Sequence, residues 1–231
     1  MIDVDDELRQ KLCVALDVDD LVNAVRIAKD LSPWFGVAKV GLELYTAAGT
    51  DAIGTLIGMG YEVFVDLKMY DIPTTVQKAS EVLGALGVSY ATYHAQGGMD
   101  VLKAGAEGLR TGASNAGLPE PKPLAITVLT SDKDAPDHIM PKRVMAAVEA
   151  GMAGLVCSPL DVKDAKQYAP RLLGVTPGIR LEGSEHHDQV RVSTPKAALD
   201  AGSDLLVIGR AVTLADDREA AAEAIVNSAL S

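Results

Sequence analysis

The chain has 231 residues, of which 21 are basic and 32 acidic, giving a net charge of −11, and 48% are apolar. That is enough apolar material for one barrel-sized domain. A pI near 4.7 argues against a nucleic-acid binder or a protein held on anionic lipid, since both need a basic face, but a local Lys and Arg cluster still leaves room for an anionic small molecule.

The opening MIDVDDELRQ is acidic and lacks an apolar run, so it does not read as a secretory signal. A short helix over about Val4–Arg9 is expected there. Apolar, β-rich runs then recur at Leu12–Leu16, Val37–Val40, Tyr61–Val65, Val88–Tyr93, Leu124–Leu129, Gly154–Cys157, Leu172–Thr176 and Leu205–Ile208. Helix-like stretches lie between and after them, at about 19–31, 43–58, 73–86, 99–112, 141–150, 160–169, 194–201 and 213–229. Strands alternating with helices imply a parallel sheet, and eight repeats imply closure. The expected fold class is therefore α/β, a single-domain (β/α)8 TIM barrel over residues 1–231. An open doubly wound sheet also alternates, but it would more usually carry a Gly-rich fingerprint after the first strand. The segment Ala15-Leu16-Asp17-Val18-Asp19 has no glycine.

The longest uncharged stretch, Val82 to Met99, is broken by glycines, His94 and Gln96 and makes a poor membrane span. Cys13 and Cys157 sit in apolar runs and read as reduced core residues. A cytoplasmic enzyme or binding protein is the expected class, with neither membrane nor nucleic acid as partner.

Barrel active sites sit at the C-terminal ends of the strands, so the residue closing each apolar run matters most. These are Asp17, Lys39, Asp66 with Lys68 and Asp71, His94, Thr130, Arg180, and Gly209 with Arg210. Asp66-x-Lys68 is the sharpest feature. Residues i and i+2 of a strand share a face, which places an Asp and a Lys side by side with Glu62 and Phe64. A lone D-x-K reads as a structural ion pair. Lys39 on the neighbouring strand and Asp71 three residues on turn it into an alternating set of two Lys and two Asp, costly to assemble without function.

A second cluster suits phosphate. Gly178 and Gly209 permit close backbone approach, and Arg180 and Arg210 carry planar forks matched to phosphate oxygens. The polar loop from Leu181 to Arg191, with Gly183 and Gln189, is placed to fold over a ligand. Its His186-His187-Asp188 triplet is no chelate by itself, and no metal site is expected. His94 reads either as a general base or as a hydrogen-bonded core residue. Pro73 suits a first helical turn, with Thr74 and Thr75 as capping or ligand-facing hydroxyls.

Taken in order, Ala15-Leu16-Asp17, Lys39-Val40-Gly41, Asp66-Leu67-Lys68-Met69-Tyr70-Asp71-Ile72-Pro73-Thr74-Thr75-Val76, His94-Ala95-Gln96-Gly97-Gly98, Thr127-Val128-Leu129-Thr130-Ser131, Pro177-Gly178-Ile179-Arg180, Asp188-Gln189 and Val207-Ile208-Gly209-Arg210 resemble the bacterial-type orotidine 5′-phosphate decarboxylases. The match spans nearly the whole chain. The D-x-K-x-x-D-I-P-x-T-V stretch is the specific part, and each other piece is weak alone. The resemblance implies a homodimer with shared active sites that converts orotidine 5′-monophosphate to UMP and CO2, the last step of de novo UMP synthesis, without cofactor or metal. It assigns catalysis to Lys68, Asp66, Lys39 and Asp71. By motif position Asp17 binds ribose, Lys39 and Asp66 flank the reacting carboxylate and ribose hydroxyls, and Lys68 protonates C6. Asp71 and Thr75 reach the neighbouring subunit's site, Thr130 meets the pyrimidine edge, and Gln189, Gly209, Arg210 and Arg180 hold the phosphate.

Two other readings fit part of the pattern. Magnesium-dependent sugar-phosphate decarboxylases and synthases of the same superfamily resemble this chain in D-x-K-x-x-D, but carry a Glu where this chain has Lys39. A cation there repels the metal. A non-catalytic barrel that binds nucleotide phosphate needs the arginine grip but not the charge array.

Overall fold

Strand and helix alternate through the computed structural model, which describes residues 4–129, 136, 138–181 and 192–231. Helix α1 (Asp6–Gln10) leads into β1 (Leu12–Ala15), α2 (Leu21–Leu31), β2 (Val37–Gly41), α3 (Leu42–Ala48), α4 (Thr50–Gly58) and β3 (Glu62–Met69). Then come α5 (Pro73–Ala85), β4 (Tyr90–His94), α6 (Gly98–Asn115), β5 (Lys122–Ile126), α7 (Ile139–Glu149) and β6 (Gly154–Val156). The chain ends with α8 (Val162–Tyr168), β7 (Leu173–Thr176), α9 (Pro195–Asp200), β8 (Leu205–Ile208), α10 (Arg210–Thr213) and α11 (Arg218–Leu230). The strands pair in parallel in sequence order, and β1 closes on β8 with Cys13 opposite Val207. The fold is the expected (β/α)8 barrel, a single domain. No helix among the described residues is long and apolar enough to cross a membrane.

Local chemistry starts the helices where they start. The carboxylates of Asp5, Asp20 and Asp217 accept the amides of Leu8, Asn23 and Ala220, satisfying N–H groups that a first turn leaves unpaired. Thr194 does the same for Ala197. Pro73 and Pro195 open α5 and α9, where a missing N–H costs nothing.

Strand alternation sorts the apolar residues into two layers. Cys13, Ala15, Val37, Phe64, Tyr90, Leu124, Val175, Leu205 and Val207 fill the barrel's interior. Their neighbours Leu12, Val14, Ala38, Val63, Val65, Ala91 and Leu206 belong to the larger core beneath the helices. Both cysteines are free and buried, as their apolar surroundings in sequence suggested, and burial pushes the Cys157 thiol up to about 12.

Several element boundaries differ from the sequence reading. The helical stretch 43–58 is two helices, because Gly49 adopts φ +57 between them. The final helix, expected from about 213, begins at Arg218, and the short α10 precedes it. Strand β5 starts two residues early, at charged Lys122. Its amide donates to Ser89, and its ammonium reaches the Tyr90 hydroxyl at 3.1 Å while lying over that ring. The lysine stem packs while its head stays polar, which a hydropathy reading passes over.

Helices α5 and α6 are packed backbone to backbone. A Cβ added to Gly108 or Gly112 would overlap the carbonyl of Gln77 or Glu81, and one at Gly84 would overlap the carbonyl of Leu109. This close seat fixes α5 directly after the charged end of β3. Gly112→Ala is therefore expected to destabilise the fold by about 1–3 kcal/mol, read from the midpoint of a urea melt, whereas Gly54→Ala, where nothing stands within 4 Å, is expected to be neutral or slightly stabilising.

Candidate active site

The alternation that sorts the core also assembles the site. Continuing each inward row one step past the apolar layer leads from Ala15 to Asp17, from Val37 to Lys39, from Phe64 to Asp66 and from Tyr90 to Thr92. On the far side, Val175 leads to Pro177 and Val207 to Gly209. Four adjacent strands thus deliver polar side chains to one end of the barrel, the end where active sites of this architecture form.

The ionic groups form a chain. Lys39 Nζ donates to Asp17 Oδ1 at 2.9 Å and stands 3.8 Å from Asp66 Oδ2. Lys68 Nζ donates to the same Asp66 oxygen at 2.8 Å. The Lys39 side chain is 9% exposed and that of Asp66 14%, against 36% for Lys68 and 55% for Asp17. The middle of the chain is therefore sealed while its Lys68 end opens on the cavity. Thr92 completes the surroundings of Asp66, donating to Oδ1 at 2.9 Å.

Asp66 and Lys68 meet as the i, i+2 spacing suggested, though pleating alone does not bring them together. Lys68 has φ +51, the one positive value at a non-glycine residue among those described, and the β3–β4 register shifts between Val65 and Met69. Gly41 is also specifically required. A Cβ there would lie 2.7 Å from Asp17 Oδ1 and 2.8 Å from Lys39 Nζ, so any larger residue would wedge apart that ion pair.

Burial alone would raise the Asp66 carboxyl, but the Lys39 and Lys68 charges, with the hydrogen bonds from Lys68 and Thr92, outweigh it and hold the pKa below the ordinary carboxylate value. Burial would likewise lower the Lys39 ammonium, and the Asp66 and Asp17 carboxylates overcome it and raise the pKa instead. The buried groups hold one another ionised.

The two expected clusters line one cavity of about 700 Å³, within the size range of small-molecule sites. Asp17, Lys39, Asp66 and Lys68 form one part of its wall, and Gly178, Arg180, Gly209 and Arg210 another. Arg180 is buried, and its Nη1 donates to the Ile179 carbonyl at 2.8 Å. Arg210 opens the short helix α10 directly after Gly209.

Asp71 and Thr75 are not brought to this wall by their own chain. Both are exposed, beside exposed Tyr70 and Ile72, and Asp71 Oδ1 accepts the Ile72 amide. Within the chain the second aspartate of the alternating set is Asp17, not Asp71. Thr130, Gln189 and the His186-His187-Asp188 triplet lie outside the described residues. His94 has a local structural job: its Nδ1 accepts the Gln96 amide at 3.2 Å at the start of a 3-10 turn, Ala95–Gly97. Burial, then the charges of Arg143 and Lys68, lower its pKa, and it does not line the cavity. The sequence reading missed Thr92 and the steric role of Gly41. Both were findable by extending the inward parity of β4 and by asking what the lone glycine after Lys39-Val40 must avoid.

Residues 10–225 match the family model described as "Orotidine 5'-phosphate decarboxylase / HUMPS family". The chain belongs to that family. It is 42% identical to an orotidine 5′-phosphate decarboxylase of Moorella thermoacetica, over 94% of this chain and 91% of the relative. It is also 42% identical to one of Lactobacillus acidophilus, over 92% and 95%. A crystal structure of the Lactobacillus acidophilus orotidine 5′-phosphate decarboxylase superposes with a TM-score of 0.81 at 37% identity, covering 95% of this chain and 99% of that one.

For this family member the pH dependence of stability has a definite sign. A depressed native pKa at Asp66 adds stability that is full above the unfolded value of about 3.9 and disappears as pH falls through the lower native value. Asp66→Asn deletes that contribution and leaves Lys39 and Lys68 without their shared carboxylate. A loss of about 3–5 kcal/mol is expected at neutral pH, narrowing as pH drops below about 4, in urea melts of both proteins across that range.

Proposed function

We propose that this chain is an orotidine 5′-phosphate decarboxylase, and that Lys68 is its proton donor. The observation that carries the reading is the Lys39–Asp66–Lys68 arrangement, with Lys68 at its open end on the same cavity as Arg180 and Arg210. Breaking the C6–carboxylate bond leaves an electron pair on a ring carbon with no adjacent carbonyl to accept it. An ammonium already held in place stabilises that charge without reorganisation. Its proton then passes to C6 as CO2 departs, and the neutral amine regains a proton from solvent. Asp66 sets a fixed negative charge against the substrate carboxylate, a repulsion that ends when neutral CO2 forms.

In this reading the arginine cluster grips the 5′-phosphate, remote from the reacting bond, and its binding energy holds the carboxylate against Asp66. Gln189 joins that grip, Thr130 meets the pyrimidine edge, and Asp17 and Lys39 hold ribose hydroxyls. No cofactor or metal is required. Lys39, whose ammonium stands 3.8 Å from Asp66, would repel a divalent ion placed between the strands, which opposes the magnesium-dependent reading. We infer further that the enzyme is a cytoplasmic homodimer. The exposure of Asp71 and Thr75 next to Tyr70 and Ile72 supports their serving the neighbouring subunit's cavity, where Asp71 would restore the second aspartate beside Lys68.

Lys68→Ala is expected to lower decarboxylation of orotidine 5′-monophosphate by roughly 10²-fold or more while UMP still binds, as followed by absorbance and by calorimetry. Unchanged turnover in that variant would remove the proposed donor, and a rate abolished by a chelator would favour the magnesium-dependent class. Mixing Lys68→Ala with Asp71→Ala protein is expected to recover activity that neither has alone, because one hybrid site then holds both residues. Failure to recover would place Asp71 outside any shared site.

A further inference from the structure

Thr92 is fully buried beneath Asp66, and none of the ligand-facing assignments above falls on it. Its hydroxyl has two partners. The amide of Lys68 donates to it at 2.9 Å, and it stands 2.9 Å from Asp66 Oδ1. An amide only donates, so Oγ1 accepts that bond and its single proton is directed to the carboxylate. The direction of the whole link is thereby fixed.

The link sits at the most unusual backbone of the barrel. The β3–β4 register shifts between Val65 and Met69, and Lys68 turns to φ +51, a region that side chains with a Cβ avoid and that persists only where surroundings over-determine it. The Thr92 hydroxyl supplies a partner for the Lys68 amide there. By engaging Oδ1 it also turns Oδ2 toward both ammonium groups, Lys68 Nζ at 2.8 Å and Lys39 Nζ at 3.8 Å.

We propose that Thr92 is a positioning residue for the decarboxylation, its one hydroxyl tying the strained backbone of the proton donor to the carboxylate that faces the substrate. It acts through Asp66 and Lys68 and touches no reacting atom. The proposal rests on the decarboxylase reading above. A threonine retained only for its shape would be replaced without loss by valine, which has the same outline.

The test compares Thr92→Val, Thr92→Ser and Thr92→Ala, each checked by thermal melt and by UMP binding. Thr92→Val is expected to lower kcat roughly 10- to 100-fold, the usual cost of one charge-assisted hydrogen bond, with KM and UMP affinity within about threefold of wild type. Thr92→Ser keeps the hydroxyl and is expected to hold kcat within about threefold. The serine and alanine variants differ by that hydroxyl alone, so the pair gives the same reading should valine fail to fold. A wild-type kcat in Thr92→Val or Thr92→Ala would overturn the proposal, as would a serine variant as slow as alanine. Wild-type protein that does not decarboxylate would overturn the parent reading instead.

Discussion

Everything at the mouth of this barrel depends on one carboxylate being held between two ammonium groups. Asp66 Oδ2 is 2.8 Å from Lys68 Nζ and 3.8 Å from Lys39 Nζ. Attraction at such distances amounts to several kcal/mol near a protein surface, and more where water is excluded. It has to offset desolvation that would otherwise neutralise Asp66 and Lys39. Removing Asp66 or Lys39 from the sealed centre leaves a buried charge short of a partner. The set is therefore cooperative, and its outer ends, Asp17 and Lys68, carry the freedom that its sealed centre lacks.

That freedom falls at the right place for chemistry. Lys68 is anchored on one side by Asp66 and open on the other, so its remaining protons face the cavity. Lys39 has no such freedom, because Asp17 and Asp66 both engage it. Two lysines of the same charge thus differ in surroundings: Lys39 is locked between two carboxylates, and Lys68 has one carboxylate partner and the cavity beside it. The arginines lie just past the C-terminal ends of β7 and β8, on the side of the barrel away from β3. A ligand that reaches both clusters is held at two points with its reacting bond at only one of them. That is the geometry in which binding energy from an unreacting group is used at the reacting centre.

Much of this was legible in the sequence because strand alternation has a period of two. The same parity that buries Cys13, Phe64 and Val207 inside the barrel carries Asp17, Asp66 and Gly209 to its mouth, so strand count and site location follow from one pattern. What parity does not supply is departure from parity. Nothing in Asp66-Leu67-Lys68 announces φ +51 at the lysine, and nothing in the hydropathy of 43–58 announces the break at Gly49. Asp71 was grouped with the charge array by its nearness in sequence, yet its own chain turns it to the surface. Spacing along a chain does not say which way the backbone turns once a strand has ended. Thr92 was passed over for a different reason: an uncharged residue within an apolar run reads as a β-former, and its hydroxyl matters only once its partners are known.

The positive φ at Lys68 also shapes the C-terminal end of β3, where Asp66 and Lys68 stand. A lysine continuing the regular ladder would leave its amide paired to the neighbouring strand. Here the ladder slips, the amide is passed to the Thr92 side chain, and the local conformation is one that costs of order 1–3 kcal/mol. Such a cost persists when something else over-determines the backbone, and the Asp66 carboxylate, bonded through Thr92 on one oxygen and to Lys68 on the other, supplies that restraint. Strain in the main chain and electrostatics in the side chains are therefore two aspects of a single arrangement. Relaxing Lys68 into ordinary extended geometry would take its amide away from Thr92, loosen Oδ1, and unsettle the shared oxygen on which both lysines depend.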